Sequence, residues 1–161
     1  MQDLDLPPFE AKLTQSVTNQ PLIWDSLRRK HVVLTPEEWV RQHVVHYLIN
    51  HLGYPRGLLA LERGLRYNQR RKRTDLRALD PTGQPLLLVE CKAPTVAIDA
   101  AVARQATTYN QTIGAPLLLL TNGLVHYCWR VDFAQRTNER LAEIPAFSAA
   151  IGGDAGAGSV S

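Results

Sequence analysis

The amino-acid sequence predicts an α/β domain with the element order α-β-β-β-α-β-β, and three observations carry that expectation. Thr35, Pro36 and Glu38 make a helix start ahead of a long segment with apolar residues at helical spacing. Three extended runs follow, joined by short polar connections. An Ala-rich stretch then leads into two apolar runs around Asn122-Gly123.

The elements follow in chain order. Residues 1–34 read as an N-terminal arm packing on the core, with turn signals at Pro7, Pro8 and Pro21 and short strands around Leu22 to Trp24 and His31 to Leu34. Thr35 suits an N-cap, Pro36 suits the first helical position, and Glu38 completes a Thr-x-x-Glu capping box. The helix runs to about Leu52, stops at Gly53, and buries Val40, Val44, Tyr47, Leu48 and Leu52. Leu58 to Leu65, Lys72 to Leu79 and Pro85 to Cys91 read as strands, and their short connections make them an antiparallel meander. Ala97 to Asn110 is the second helix, ended by Gly114 and Pro116. Pro116 to Thr121 and Val125 to Val131 are the last two strands. The core domain spans 35–133, and the extension 134–161 is expected to be disordered from about 148, where large apolar side chains run out.

At 161 residues the chain suits one domain that buries its core without disulfides. Its composition, 45% hydrophobic and 20% charged, is globular. No apolar run of about 18 residues occurs, and MQDLDLPPFE has neither a basic nor an apolar leader segment, so a cytoplasmic protein with no membrane partner is expected. Cys91 and Cys128 stand far apart outside any Cys/His cluster, which argues against zinc and for reduced thiols.

The net charge of +3 is unevenly spread. Between Arg63 and Arg77 seven bases face the single acid Asp75, a local charge of +6 that leaves about −3 for the remainder. Such a stripe, with Arg70, Arg71, Lys72 and Arg73 at its centre, is what a surface for DNA phosphates looks like. A solvated hairpin tip is the competing reading.

Chemistry concentrates at LLLVECKA, Leu86 to Ala93. On a strand, Glu90 and Lys92 share a face and Cys91 takes the other. A carboxylate and an ammonium closing an apolar strand imply a partner, a metal or a catalytic role. Asp75, on the neighbouring antiparallel strand, would converge on them. Two carboxylates suit Mg²⁺ or Mn²⁺ better than zinc, and Lys92 would orient water or stabilise developing charge. A structural ion pair is the alternative.

These residues sit within a longer series: LTPEEWVRQ (Leu34 to Gln42), GYP (Gly53 to Pro55), KRTDL (Lys72 to Leu76), PLLLVECKAP (Pro85 to Pro94), QATTYN (Gln105 to Asn110) and TNG (Thr121 to Gly123). In this order they resemble the PD-(D/E)xK nuclease superfamily. Within it, the likeness is to the N-terminal nuclease domain of type I restriction enzyme R subunits, including small stand-alone versions, over about Ile23 to Val131. The resemblance implies a restriction-endonuclease-like core, a mixed central sheet flanked by helices. It also implies Asp75 and Glu90 as metal ligands, the Cys91 backbone carbonyl as a further ligand and Lys92 as the catalytic lysine. The proline that often precedes the first acid is Thr74 here.

The superfamily often adds an acid from the first helix, where Glu37 and Glu38 compete. At 100° per residue Glu37 falls near the centre of the apolar arc and Glu38 toward its edge, which favours Glu37 as the metal-site residue. An i,i+4 pair with Arg41 is its structural alternative. Gln105 and Tyr109 match the QxxxY motif of related branches and share a helix face, where they would position DNA or the lysine; buried, backbone-bonded side chains are the alternative. His43, His46 and His51 lack a matching carboxylate cluster, and Trp24, Trp39 and Trp129 read as packing. Glu62 is read either as approaching the site or as solvated.

The sequence thus implies a Mg²⁺- or Mn²⁺-dependent DNA endonuclease, a hydrolase of phosphodiester bonds. Its alternative is a catalytically silent DNA-binding or assembly module of a restriction complex. There is no GxxxxGK[ST] phosphate loop, so any translocation needs a motor partner; specificity subunits and a homodimer are compatible with this reading.

Overall fold

The computed structural model describes residues 1–63 and 74–152, with side chains described for 1–62 and 76–152. The arm forms a small antiparallel sheet of β1 (Leu13–Gln15), β2 (Pro21–Asp25) and β3 (Lys30–Val33). Helix α1 (Pro36–Asn50) follows, then β4 (Leu59–Arg63), β5 (Thr74–Leu79), β6 (Pro85–Cys91), helix α2 (Ala100–Ile113), β7 (Leu117–Thr121), β8 (His126–Asp132), β9 (Thr137–Leu141) and helix α3 (Phe147–Gly152). Strands β4 to β9 make one sheet in sequential order. Every neighbouring pair is antiparallel except β6 and β7, which are parallel because α2 carries the chain back across the sheet. The sheet is therefore mixed, with helices on both faces, consistent with a restriction-endonuclease-like core.

The parallel pair lies at the centre because it is apolar on both sides. Leu118, Leu119 and Leu120 are all 0% exposed, and such burial contributes about 1.5–3 kcal/mol per side chain. Alternation divides the core in two. Leu87, Val89, Cys91, Leu117 and Leu119 join Val40, Val44, Val45 and Leu48 of α1. Leu88, Leu118 and Leu120 join Ala106 of α2 on the opposite face.

Local chemistry sets the ends. The Thr35 hydroxyl accepts the Glu38 N–H at 3.0 Å, and Asp99 accepts the Val102 N–H at 2.9 Å at the start of α2. Asn110, buried in the last turns of α2, exchanges two hydrogen bonds with Ala115 across the turn into β7. Helix α1 departs from its expected pattern. Tyr47 and Leu52 are only half-buried, whereas Glu38, Arg41, Gln42 and His43 are buried, because the arm covers this part of α1, with Arg28 on Glu38 and Phe9 on His43.

That covering is specific. The Trp39 indole donates to the Gln2 carbonyl at 2.9 Å, and the Asp5 N–H donates to the Gly123 carbonyl at 2.8 Å. Gly123 has φ +86°, and a Cβ there would come within 2.8 Å of Leu4, so the arm needs glycine in the TNG turn. Phe9 stacks on His46, with centroids 4.1 Å apart, and meets His43 edge-on at 4.8 Å.

Four elements were not expected: β1, a one-turn 3-10 helix at Arg56–Leu58, β9 and α3. Strand β9 extends the sheet beyond the expected boundary at 133, and α3 occupies residues expected to be disordered from about 148. Phe147 explains α3, since its N–H donates to the Leu52 carbonyl at 2.8 Å and its ring meets Tyr54 at 5.4 Å. Residues 64–73 and 153–161 lie outside the described residues. Among the described residues no helix is long and apolar enough to cross a membrane.

Burial lowers the pKa of His43 against the pull of the Trp39 carbonyl. Burial also lowers that of His46, helped by the nearby charges of Arg56 and His43 and opposed by Asp25. The unfolded chain takes up these protons as pH falls through about 6.5, while the native state resists. Stability present above pH 6.5 is therefore lost progressively down to the depressed native values. The urea midpoint should fall between about pH 7 and pH 5, and His43→Gln with His46→Gln should flatten that dependence; a slope unchanged in the double variant would contradict the assignment.

Candidate active site

Glu90 lies on the α2 side of the sheet, in phase with Leu88, and Cys91 on the α1 side. Glu90 is 7% exposed. Its Oε1 stands 3.3 Å from the Lys92 Nζ, so the two charges meet where the sequence spacing placed them. The Lys92 N–H donates to the Thr121 carbonyl at 2.8 Å, which extends the β6–β7 ladder past the end of β6 and fixes the lysine backbone. Next to it, Asn122 ties the turns together: its Oδ1 accepts from Leu124 and Val125, and its Nδ2 donates to the Val96 carbonyl, each at 2.9 Å.

Backbone register brings the acids level. Leu76 pairs with Val89, so Asp75 comes opposite Glu90, and Asp75 itself pairs with Glu62 on β4. Glu62, Asp75 and Glu90 thus occupy one row across three strands. The side chain of Asp75 lies outside the described residues, as do Arg70, Arg71, Lys72 and Arg73. Among the described residues no group of three or more His, Cys, Asp or Glu is disposed to hold a metal ion. Carboxylate and carbonyl oxygens at Asp75, Glu90 and Cys91 are nevertheless the donor chemistry that suits Mg²⁺ or Mn²⁺.

Helix α2 meets this row. The Tyr109 hydroxyl accepts from an Arg77 guanidinium nitrogen at 3.2 Å. Arg77 is two residues beyond Asp75 on the same strand, an advance of about 6.6 Å. Gln105 precedes Tyr109 by four helical residues, about 6 Å back toward the end of β6. Gln105 shares the Tyr109 face of α2 and is exposed. Arg77 as the Tyr109 partner was not singled out from sequence, although its two-residue spacing from Asp75 was a signal for it.

The first helix delivers its acids elsewhere. Glu38 is the buried one at 6%, and Glu37 is half-exposed, the reverse of the arc argument. The reason is Arg28, from the turn between β2 and β3, whose guanidinium reaches Glu38 Oε1 at 2.8 Å. Arg41 donates to the same oxygen at 3.0 Å and to Glu37 at 2.8 Å, while Gln42 donates to Glu38 Oε2 at 3.1 Å. Asp25 closes the chain of charges. It is 0% exposed, and its carboxylate takes the Leu27 and Arg28 N–H groups and the Arg28 side chain. Burial opposes ionisation of Asp25, but the hydrogen bonds and charge of Arg28 together hold its pKa below the usual 3.8. This network faces Cys91: burial pushes the Cys91 thiol up to about 12, against Arg41 and with the help of Glu37, Glu38 and Glu90. The structure thus joins Glu90 to Lys92 and Tyr109 to Arg77, and it joins Glu37 and Glu38 to Arg41 on the opposite side of β6.

A family model, type I restriction enzyme R protein N-terminus, matches residues 36–145, more than half of the 161-residue chain. The chain belongs to that family. No match was found among curated proteins or among solved structures. In this R-protein N-terminal domain the matched span opens on α1 and takes in Glu90, Lys92, Gln105 and Tyr109 as well as β9, whereas β1 to β3 precede it.

The charge network makes unequal demands on the two helix acids. Glu38→Ala leaves Arg28 and Arg41 without their shared partner and should cost about 3–5 kcal/mol in urea unfolding, whereas Glu37→Ala should cost about 1 kcal/mol or less. Equal effects would show that burial of Glu38 is not what matters.

Proposed function

We propose that this domain is a divalent-metal-dependent DNA endonuclease that hydrolyses phosphodiester bonds. The observation that carries the reading is the row in which Asp75 comes opposite Glu90 while Lys92 stands 3.3 Å from the same carboxylate. Membership in a restriction enzyme family makes DNA and other subunits of a restriction complex the natural partners.

Asp75, Glu90 and the Cys91 carbonyl are the groups that would hold Mg²⁺ or Mn²⁺. Bound there, such an ion supplies Lewis-acid polarisation of a phosphodiester oxygen and lowers the pKa of a coordinated water. The protein does the rest. Glu90 directs Lys92, and the lysine side chain, 26% exposed, remains open to a phosphate or an attacking water. From that position it stabilises the negative charge that grows on the phosphate in the transition state. Gln105, exposed on the Tyr109 face of α2, orients the DNA strand. Tyr109 anchors Arg77 behind the carboxylates, and the guanidinium offsets their mutual repulsion. Arg70, Arg71, Lys72 and Arg73 would hold phosphates without reading sequence. Glu37 and Glu38 are committed to Arg41, so no metal role is proposed for them.

The Glu90–Lys92 contact is also what a structural ion pair would form, which keeps a silent DNA-binding or assembly module as the second reading. Supercoiled plasmid with Mg²⁺ or Mn²⁺ separates the two. Nicking by wild type should cease with chelator and fall about 100-fold or more in Glu90→Ala and Lys92→Ala. Plasmid retarded in a gel but never nicked, alone or with restriction subunits, would favour the silent module.

A further inference from the structure

The sheet beyond α2 carries a second surface that the nuclease reading leaves unused. On β8, Trp129 and Val131 pack beside α2, and Tyr127 shares their face, its ring stacked parallel to Trp129 at 6.0 Å and 13°. Arg140 of β9, paired with Trp129 in register, lays its guanidinium 4.2 Å above the Tyr127 ring and remains exposed. Past Val131 the stripe opens into a cavity of about 510 Å³ between α2 and the β8–β9 turn. Phe133, 43% exposed, and Arg136 and Asn138 line it on one side, with Thr107 and Gln111 of α2 on the other.

This surface shares a backbone row with the candidate active site, with Leu120, buried beneath α2, between them. Glu90 pairs with Leu120, and Leu120 with Tyr127, so Tyr127 stands in the row of the carboxylates, two strands away. At about 4.8 Å per strand that is roughly 10 Å. An aromatic stripe flanked by arginines, ending in a cavity whose size falls within the usual range for small-molecule ligands, has the chemistry for stacked bases joined by phosphates. The cations match a polyanion, the rings and guanidinium match unpaired bases, and the amides of Gln111 and Asn138 match base edges.

We propose that the β8–β9 face beside α2 binds single-stranded DNA, within roughly 10 Å in register of the Glu90–Lys92 site. The proposal rests on the nuclease reading for its ligand class. Bases stack along Arg140, Tyr127 and Trp129, and one base enters the cavity at Phe133. Duplex DNA, whose bases already stack on each other, gains little from such a platform.

The test measures binding of a fluorescent oligothymidine and a matching duplex by anisotropy, in chelator, so that cleavage plays no part. Tyr127→Ala, Phe133→Ala and Arg140→Ala should each weaken oligothymidine binding about ten-fold while leaving duplex binding nearly unchanged, and Tyr127→Phe should retain it. All four substitutions fall on half-buried or exposed side chains, and thermal melts check that each variant is folded. Wild-type oligothymidine affinity in all three alanine variants would overturn the proposal. So would a concentration-dependent mass that Phe133→Ala abolishes without changing oligothymidine affinity, since the face would then be covered by a second copy. Failure of the two readings is separable. Loss of oligothymidine binding in these variants, with no metal-dependent cleavage by any form, would keep the platform and remove the nuclease; Glu90-dependent cleavage with unaltered oligothymidine binding in the variants would do the reverse.

Discussion

Parallel pairing of β6 with β7 is the constraint on which the rest of this structure depends. A parallel neighbour requires a long crossover, and α2 supplies it, packing its apolar side against Leu88, Leu118 and Leu120. The other face of the same two strands must then be covered by α1. With both faces closed, a charge is tolerated only where β6 emerges, and Glu90 and Lys92 appear at that point. The ladder bond from Lys92 to Thr121 holds the lysine backbone at the end of the strand, and the Asn122 side chain secures the turns beside it.

One consequence is that the end of β6 carries two charge systems of different character. On the α1 side Asp25, Arg28, Glu38, Arg41 and Gln42 are locked together in a largely buried network. On the α2 side Glu90 and Lys92 sit at a more open edge, with the lysine a quarter exposed. Cys91 separates them, and its thiol, held neutral by burial, serves as packing rather than as a nucleophile. Rigid charges on one side and accessible charges on the other are what a site needs when one group must be held still and another must meet a substrate.

The arm and the tail stabilise this arrangement from outside. Gln2, Asp5 and Phe9 bind the exposed side of α1 and the TNG turn, and Phe147 closes over Tyr54 at the other end of α1. Both segments are short and broken by prolines, Pro7 and Pro8 in one and Pro145 in the other, so neither has room for a readable period. Strand β9 was invisible for a related reason: Thr-Asn-Glu-Arg-Leu is exposed on an edge and carries no alternation to read.

The sequence by itself determined the order of the main elements, the capping of α1 at Thr35, and the two-residue spacing that puts Glu90 with Lys92 and Cys91 opposite them. These depend on local geometry, which backbone period and capping chemistry dictate without help from distant residues. Only the tertiary structure decided that Glu38 rather than Glu37 is buried, because that depends on Arg28, which approaches α1 from the arm. It likewise decided that Tyr109 takes Arg77, and that Tyr127 shares a row with Glu90, since register between distant strands is set by how both faces of the sheet are buried.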